Sequence, residues 1–231
     1  MDMYCDLGHM QLAREAHRDM KSLEQVNFQG SIDDQTHRMY MPTSLPMIMM
    51  GETMFDKQVD YEQVVTEYFE GAFGADGEKC RAYLEKLSTL LSPSNYRIGG
   101  KNGVEEEGFG DIETMKKGWV GNAEVARRAE EIPAHIAQFL PVIEENLSAA
   151  DNDAQRLSWN YLKMHGTICT LFSDILKAGA SGDLDFAREK YEVIADYVSE
   201  HEMDFHEVFD VFLFLRSIRM KLHMPNFDYF D

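Results

Sequence analysis

Residues 27–38 read Asn27-Phe28-Gln29-Gly30-Ser31-Ile32-Asp33-Asp34-Gln35-Thr36-His37-Arg38, and the fold class turns on how this stretch is taken. Gly30 interrupts the helical spacing before it, so 27–32 read as a short extended segment, the one convincing strand candidate in the chain. A lone strand leaves its edges unpaired and is not stable by itself. A strand flanked by helices therefore implies either a partner chain or a barrel whose other strands lie elsewhere. The polar knot over 33–38 follows directly, where α/β barrels carry substrate-binding and catalytic side chains. The plainer alternative is a solvated turn capping the next helix.

Working outward, Leu12, Ala13, Ala16, Met20 and Leu23 recur at three- and four-residue spacing, with Arg14, Glu15, Arg18, Asp19 and Lys21 between them, which predicts an amphipathic helix. On the other side, Pro46 suits a first helical turn with Thr43 or Ser44 as cap, and residues 47–55 are apolar nearly all round. Such a run predicts a buried helix whose methionines fill core rather than hold a ligand.

Farther on, Asp60 with Gln63 makes a capping-box-like start for a helix through Val64, Val65, Tyr68, Phe69 and Phe73 that Gly74 stops. The next helix begins at Asp76 and carries Cys80, Tyr83, Leu84, Leu87, Leu90 and Leu91 until Ser92 and Pro93. Residues 92–110 hold five glycines and the run Glu105-Glu106-Glu107, which predicts a long loop and an internal boundary.

Asp111 is expected to cap a helix running to about Glu131, and Pro133 to restart it with Ile136, Phe139, Leu140, Ile143 and Leu147 on one stripe, kinked at Pro141. Asp151 opens a long helix closed by Gly179, and Asp183 caps another. A last helix, over about 204–223, is dense in Phe205, Val208, Phe209, Phe212, Leu215 and Ile218. The fold class expected is mainly α, a helical bundle over 111–231, preceded by a helical pair and loop over 59–110 and a βα segment over 1–58.

Composition narrows function. The chain has 231 residues and 22 Lys and Arg against 41 Asp and Glu, a net charge of −19. That potential repels phosphate backbones and anionic lipid surfaces, so neither nucleic acid nor a membrane is expected as a partner. Cys5, Cys80 and Cys169 are far apart and odd in number, which fits reduced thiols and a cytoplasmic location. Residues 1–10 lack the basic and apolar regions of a secretory signal, and the apolar run over 45–50 is too short to span a bilayer.

Chemistry-bearing motifs are sparse. Glu200, His201, Glu202, His206 and Glu207 cluster, with Glu202 and His206 one helical turn apart, but a di-metal bundle needs a matching pair on a facing helix and no other helix offers one. No metal and no cofactor is implied. His165 lies on an otherwise apolar helix beside Gly166 and reads first as a core histidine whose ring finds a carbonyl, with ligand or base as the sharper alternatives. No nucleophile elbow, phosphate loop, dinucleotide fingerprint or H-E-x-x-H occurs.

Tyr4-Cys5-Asp6-Leu7-Gly8, Phe28-Gln29-Gly30, Asp34-Gln35-Thr36 with Arg38, Pro42-Thr43-Ser44-Leu45-Pro46-Met47 and Met50-Gly51-Glu52-Thr53 together form a longer pattern. It continues through Asp60-Tyr61, Tyr68-Phe69, Ala72-Phe73-Gly74 and Tyr83-Leu84. This pattern resembles the end of the domain-of-unknown-function family related to α-glucuronidase-type glycoside hydrolases, over mainly residues 1–92. Residues 111–231 match only as the helical tail expected there.

The resemblance implies that the first helix and the 27–32 strand are the last elements of a (β/α)8 barrel, most of which lies outside this chain. Glycosidic cleavage normally takes two carboxyl groups about 5 to 9.5 Å apart, and the resemblance puts them on earlier strands. Asp33, Asp34, Gln35 and Arg38 would then rim a sugar site without cleaving the bond. Asp33 and Asp34 make a poor catalytic pair because extended neighbours point to opposite faces. Carbohydrate, the missing barrel portion or a partner chain, and a second copy of the chain are the partners left open. The rival readings are a self-standing acidic helical interaction or scaffold protein and, third, a metal-dependent bundle enzyme.

Overall fold

Ten α-helices make up the described part of the chain in a computed structural model, which describes residues 6–28, 38, 40–91, 121–150 and 152–225. Helix α1 spans Met10–Ser22, α2 Leu45–Phe55, α3 Tyr61–Phe73 and α4 Gly77–Leu90. Then come α5 Ala123–Ala129, α6 Ile132–Ala149, α7 Asp153–Ala180, α8 Leu184–Glu200, the single turn α9 Glu202–Phe205, and α10 Val211–Lys221. The mainly helical expectation holds.

The βα remnant is corrected. The chain leaves α1 through a 3-10 turn, Leu23–Val26, closed by Asn27 in the left-handed conformation (φ 56°). Asn tolerates that region because its short polar side chain bonds locally. The Phe28 N–H then donates to the Leu23 carbonyl at 2.9 Å, so the first two residues of the expected strand form a turn. Residues 29–32 lie outside the described residues, and among the described residues there is no β-strand.

Helices α1 and α2 lie side by side and run in the same direction. His9 Nδ1 is 3.0 Å from the Thr43 carbonyl, just before both helices start. Farther along, His17 Nδ1 is 2.9 Å from Thr53 Oγ1, and beyond the helix ends Lys57 pairs with Glu24. Phe28 and Tyr40 therefore stand toward opposite ends of the pair, whose thirteen-residue α1 is about 20 Å long. Consecutive helices joined by a tight turn are antiparallel, so the parallel arrangement is the distinctive feature of this part of the chain.

One apolar core runs from Leu7 to Leu222 and takes in segments 1–58, 59–110 and 111–231 alike. Its axis is α7, which packs against α3, α5, α6 and α8. An aromatic chain fills the junction: Phe73 meets Trp159 edge-on at 5.0 Å, and Tyr83 stacks on Phe139 at 4.3 Å and on His135 at 5.0 Å. The Trp159 indole N–H donates to the Phe73 carbonyl at 3.2 Å, so its polar atom is satisfied inside the core.

Caps show which boundaries the sequence marks. Asp60 accepts from the Gln63 N–H at 2.9 Å, and Gly74 (φ 67°) ends α3 as expected. Asp183 accepts from Phe186 at 3.1 Å. The cap of α7 is Asn152, which accepts from Gln155 at 2.9 Å, and the turn after α7 uses Gly182 (φ 85°) in place of Gly179. The chain breaks at Glu130 and Glu131 and α6 then continues through Pro141. Asp111 and Asp151 lie outside the described residues.

Candidate functional site

Of the four residues expected to rim a sugar site, Asp33, Asp34 and Gln35 lie outside the described residues and Arg38 is described. Arg38 stands at φ 28°, just before the return to α2. Its Nη1 donates to the His206 carbonyl at 3.0 Å and its Nη2 to Asp210 Oδ2 at 3.4 Å. Two residues on, the Tyr40 N–H donates to the Val208 carbonyl at 2.8 Å. The segment leading into α2 is thus stitched to the turn between α9 and α10.

Asp210 serves both sides of this seam. Its Oδ1 accepts from the Leu213 N–H at 3.0 Å, capping α10, while Oδ2 receives Arg38. The expected helix over 204–223 is broken at 206–210. The break frees the His206 and Val208 carbonyls that Arg38 and Tyr40 take. Sequence reasoning missed Asp210, although an Asp immediately before the apolar run Val211-Phe212-Leu213 is a helix-start signal.

The acidic and histidine cluster is not assembled as a helical pair. His206 falls past the end of α9, with Nδ1 3.2 Å from the Met203 carbonyl, and His201 Nδ1 lies 2.9 Å from Asp204 Oδ2. Among the described residues no group of three His, Cys, Asp or Glu side chains is placed to hold a metal ion.

A second polar group is sealed in the core where the chain enters α1. Asp6, fully buried, accepts from the Gly8 N–H at 3.2 Å, the Leu12 N–H at 2.9 Å and the Ser88 hydroxyl at 2.5 Å. Nearby, His9 Nε2 and the Tyr83 hydroxyl are buried without a partner. His165 Nε2 lies 3.2 Å from Cys169 Sγ.

Residue types in this group suit nucleophilic chemistry, but their protonation does not. Burial, helped by nearby His9 and opposed by the Leu7 carbonyl, lowers the His165 pKa to about 3. Burial alone pushes the Cys169 thiol up. At neutral pH the pair is a neutral ring beside a neutral thiol, out of solvent, and a thiol must be ionised to attack. His165 is a core histidine, as its apolar helix suggested, and Cys80 is equally buried.

An open groove of about 670 Å³ lies between α1, α4 and α5, lined by Arg14, Glu85, Lys86, Thr89, Arg127 and Arg128 among others. Its cations are already engaged. Arg14 pairs with Glu85 at 3.3 Å, Lys86 with Glu131 at 3.3 Å, and Arg128 with Glu124 at 2.6 Å. Arg127 binds both Glu124 (2.8 Å) and Glu131 (3.1 Å), and hydrogen bonds from Arg127 and Arg128 hold the Glu124 carboxyl at about 2. The groove is a charge-matched seam that ties α5 to α4.

No family model matches the chain, and neither a curated protein nor a solved structure matches it.

Proposed function

We propose that this chain is the C-terminal portion of a glycoside-hydrolase-like carbohydrate-active protein, cytoplasmic, in which Asp33, Asp34, Gln35 and Arg38 rim a sugar site and the cleaving carboxylates belong to the preceding barrel. The observation that carries the reading is the parallel packing of α1 and α2. Side-by-side parallel helices are an arrangement that the outer layer of a (β/α)8 barrel also uses. Arg38, the one described residue of the proposed rim, is held by the His206 carbonyl and Asp210.

Two further observations bear on location. Cys80 and Cys169 are free and buried, as in reducing compartments. No helix among the described residues is long and apolar enough to cross a membrane.

The test is an assay on two proteins: the 231-residue chain, and the same chain joined to its upstream in-frame coding sequence. Hydrolysis of aryl glycosides by the joined protein alone supports the reading. Hydrolysis by the shorter chain, or by neither, contradicts it.

A second reading, a helical interaction protein, draws on one specific observation: Phe55 at the end of α2 is 92% exposed.

A further inference from the structure

Residues 211–224 hold Arg216, Arg219 and Lys221 and no Asp or Glu, in a chain whose net charge is −19. Phe212, Arg216, Arg219 and Met220 fall at i, i+4, i+7 and i+8 of α10, positions that share one face of a helix. On that face Arg216 is exposed and Met220 is 50% exposed. A guanidinium beside a thioether suits an occupant that carries both carboxylates and apolar rings.

The end of α10 turns the chain back onto this face. His223 takes the left-handed conformation (φ 53°), and the Met224 N–H donates to the Arg219 carbonyl at 3.0 Å, the bond that reverses a chain after a helix. Both flanks of the turn are anchored. Arg188 donates to the Leu222 carbonyl from Nε at 3.1 Å and from Nη2 at 2.9 Å, and Arg219 Nε donates to the Pro225 carbonyl at 2.8 Å. Pro225, the last described residue, thus already stands beside Arg219. After it come Asn226-Phe227-Asp228-Tyr229-Phe230-Asp231, which bring aromatic rings and carboxylates together.

We infer that the segment 226–231 docks on the Phe212–Met220 face of α10, its rings against Met220 and its Asp228 and Asp231 toward the α10 cations. The inference goes beyond the sugar-site reading and stands without it. Six extended residues reach about 20 Å, whereas Arg219 back to Phe212 is about 10 Å along the helix. A tethered segment also acts at high effective concentration, so modest contacts suffice to seat it. Charge selects the same place, because α10 offers cations to a carboxylate-bearing segment in a protein that otherwise repels it. The acidic run Glu105-Glu106-Glu107 lies midway between Leu91 and Gly121, and neither described end is held to α10. Leu91 bonds Leu7 and Gly121 bonds Gly179. A second copy of the chain is disfavoured, because each copy brings a net charge of −19 to the encounter.

The probe is the Met220 methyl group in the full chain carrying isotope-labelled methionine methyls, its nuclear magnetic resonance signal identified by its loss in Met220→Leu. An aromatic ring packed on a methyl displaces that signal upfield. The expected result is a displaced Met220 signal in the full chain, returned to the unshielded position in a chain ending at Pro225 whose other methionine signals are unchanged. At full length, Asp228→Lys together with Asp231→Lys is expected to lose most of the displacement, which decides the matter if the shorter chain does not fold. An unshielded Met220 in the full chain overturns the inference. So does a displacement that survives removal of 226–231 or the two Lys substitutions, or one that grows with protein concentration and so seats a second copy there.

Discussion

His17 Nδ1 lies 2.9 Å from Thr53 Oγ1, and the same hydroxyl donates its proton to the Met49 carbonyl at 2.6 Å. A hydroxyl has one proton to give, so the bond to His17 runs from the ring Nδ1–H to the threonine oxygen. This fixes the tautomer and joins α1 to α2 in register. Replacing Thr53, which is fully buried, by Val keeps the shape and removes both bonds. Thr53→Val is expected to cost about 1 to 2 kcal/mol in urea unfolding, with an unchanged denaturant slope. A neutral substitution would mean that the contact does not hold the pair.

Gly8 is where the chain presses against α4. A Cβ there would stand 1.9 Å from the Leu84 carbonyl oxygen and 2.6 Å from Ser88 Oγ. Backbone cannot give way as a flexible side chain can, so Gly8→Ala is expected to cost more than about 3 kcal/mol. Thermal unfolding measures it, and a wild-type melting temperature would show that residues 6–10 do not pack as described.

Acid should weaken the fold before its carboxylates titrate. Burial lowers the pKa of His165 to about 3, and lowers those of His9 and His17 as well. A histidine whose folded pKa is depressed contributes stability that is complete above its unfolded pKa, about 6.5, and is lost as pH falls toward the folded value. Stability should therefore decline between about pH 6.5 and 4.5. The carboxylate of Glu124, held at about 2, adds its loss only below that window. His165→Asn should be less stable at neutral pH but flatter across the window, as read by urea unfolding at each pH. An unchanged slope would contradict the burial of a neutral ring.

Asp210 does two jobs and Arg38 one, which a double-mutant cycle separates. Asp210→Ala removes the α10 cap and is expected to cost about 1 to 2 kcal/mol. Arg38→Ala should cost less than about 1 kcal/mol, because its side chain is 44% exposed and the pair is screened. The coupling should be positive and below about 1 kcal/mol. Zero coupling would mean that Arg38 is held by the His206 carbonyl alone.

Most of the helices were legible because their signals are local. The spacing of Val64, Val65, Phe69 and Phe73 with Asp60 before and Gly74 after defines α3 completely, and Asp183 does as much for α8. In the stretch 27–38 the spacing points to an extended segment broken at Gly30, whereas Asn27 in the left-handed region already closes a 3-10 turn. The break at 206–210 was missed because Phe205, Val208, Phe209 and Phe212 keep helical spacing across it, so periodicity outvoted the Asp210 cap. The burial of Asp6 could not be read from sequence, since its partner Ser88 stands 82 positions away. The exposure of α2 was equally hidden: a nearly all-apolar helix reads as buried, whereas Met54 is 44% and Phe55 92% exposed.

In the proposed function this chain completes a carbohydrate-active protein and does not cleave glycosides itself. It is tested most directly by assaying aryl-glycoside hydrolysis by the 231-residue chain beside the same chain joined to its upstream coding sequence. Turnover by the joined protein and none by the shorter one is the expected result. Turnover by the shorter chain, or none by the joined protein, would contradict it.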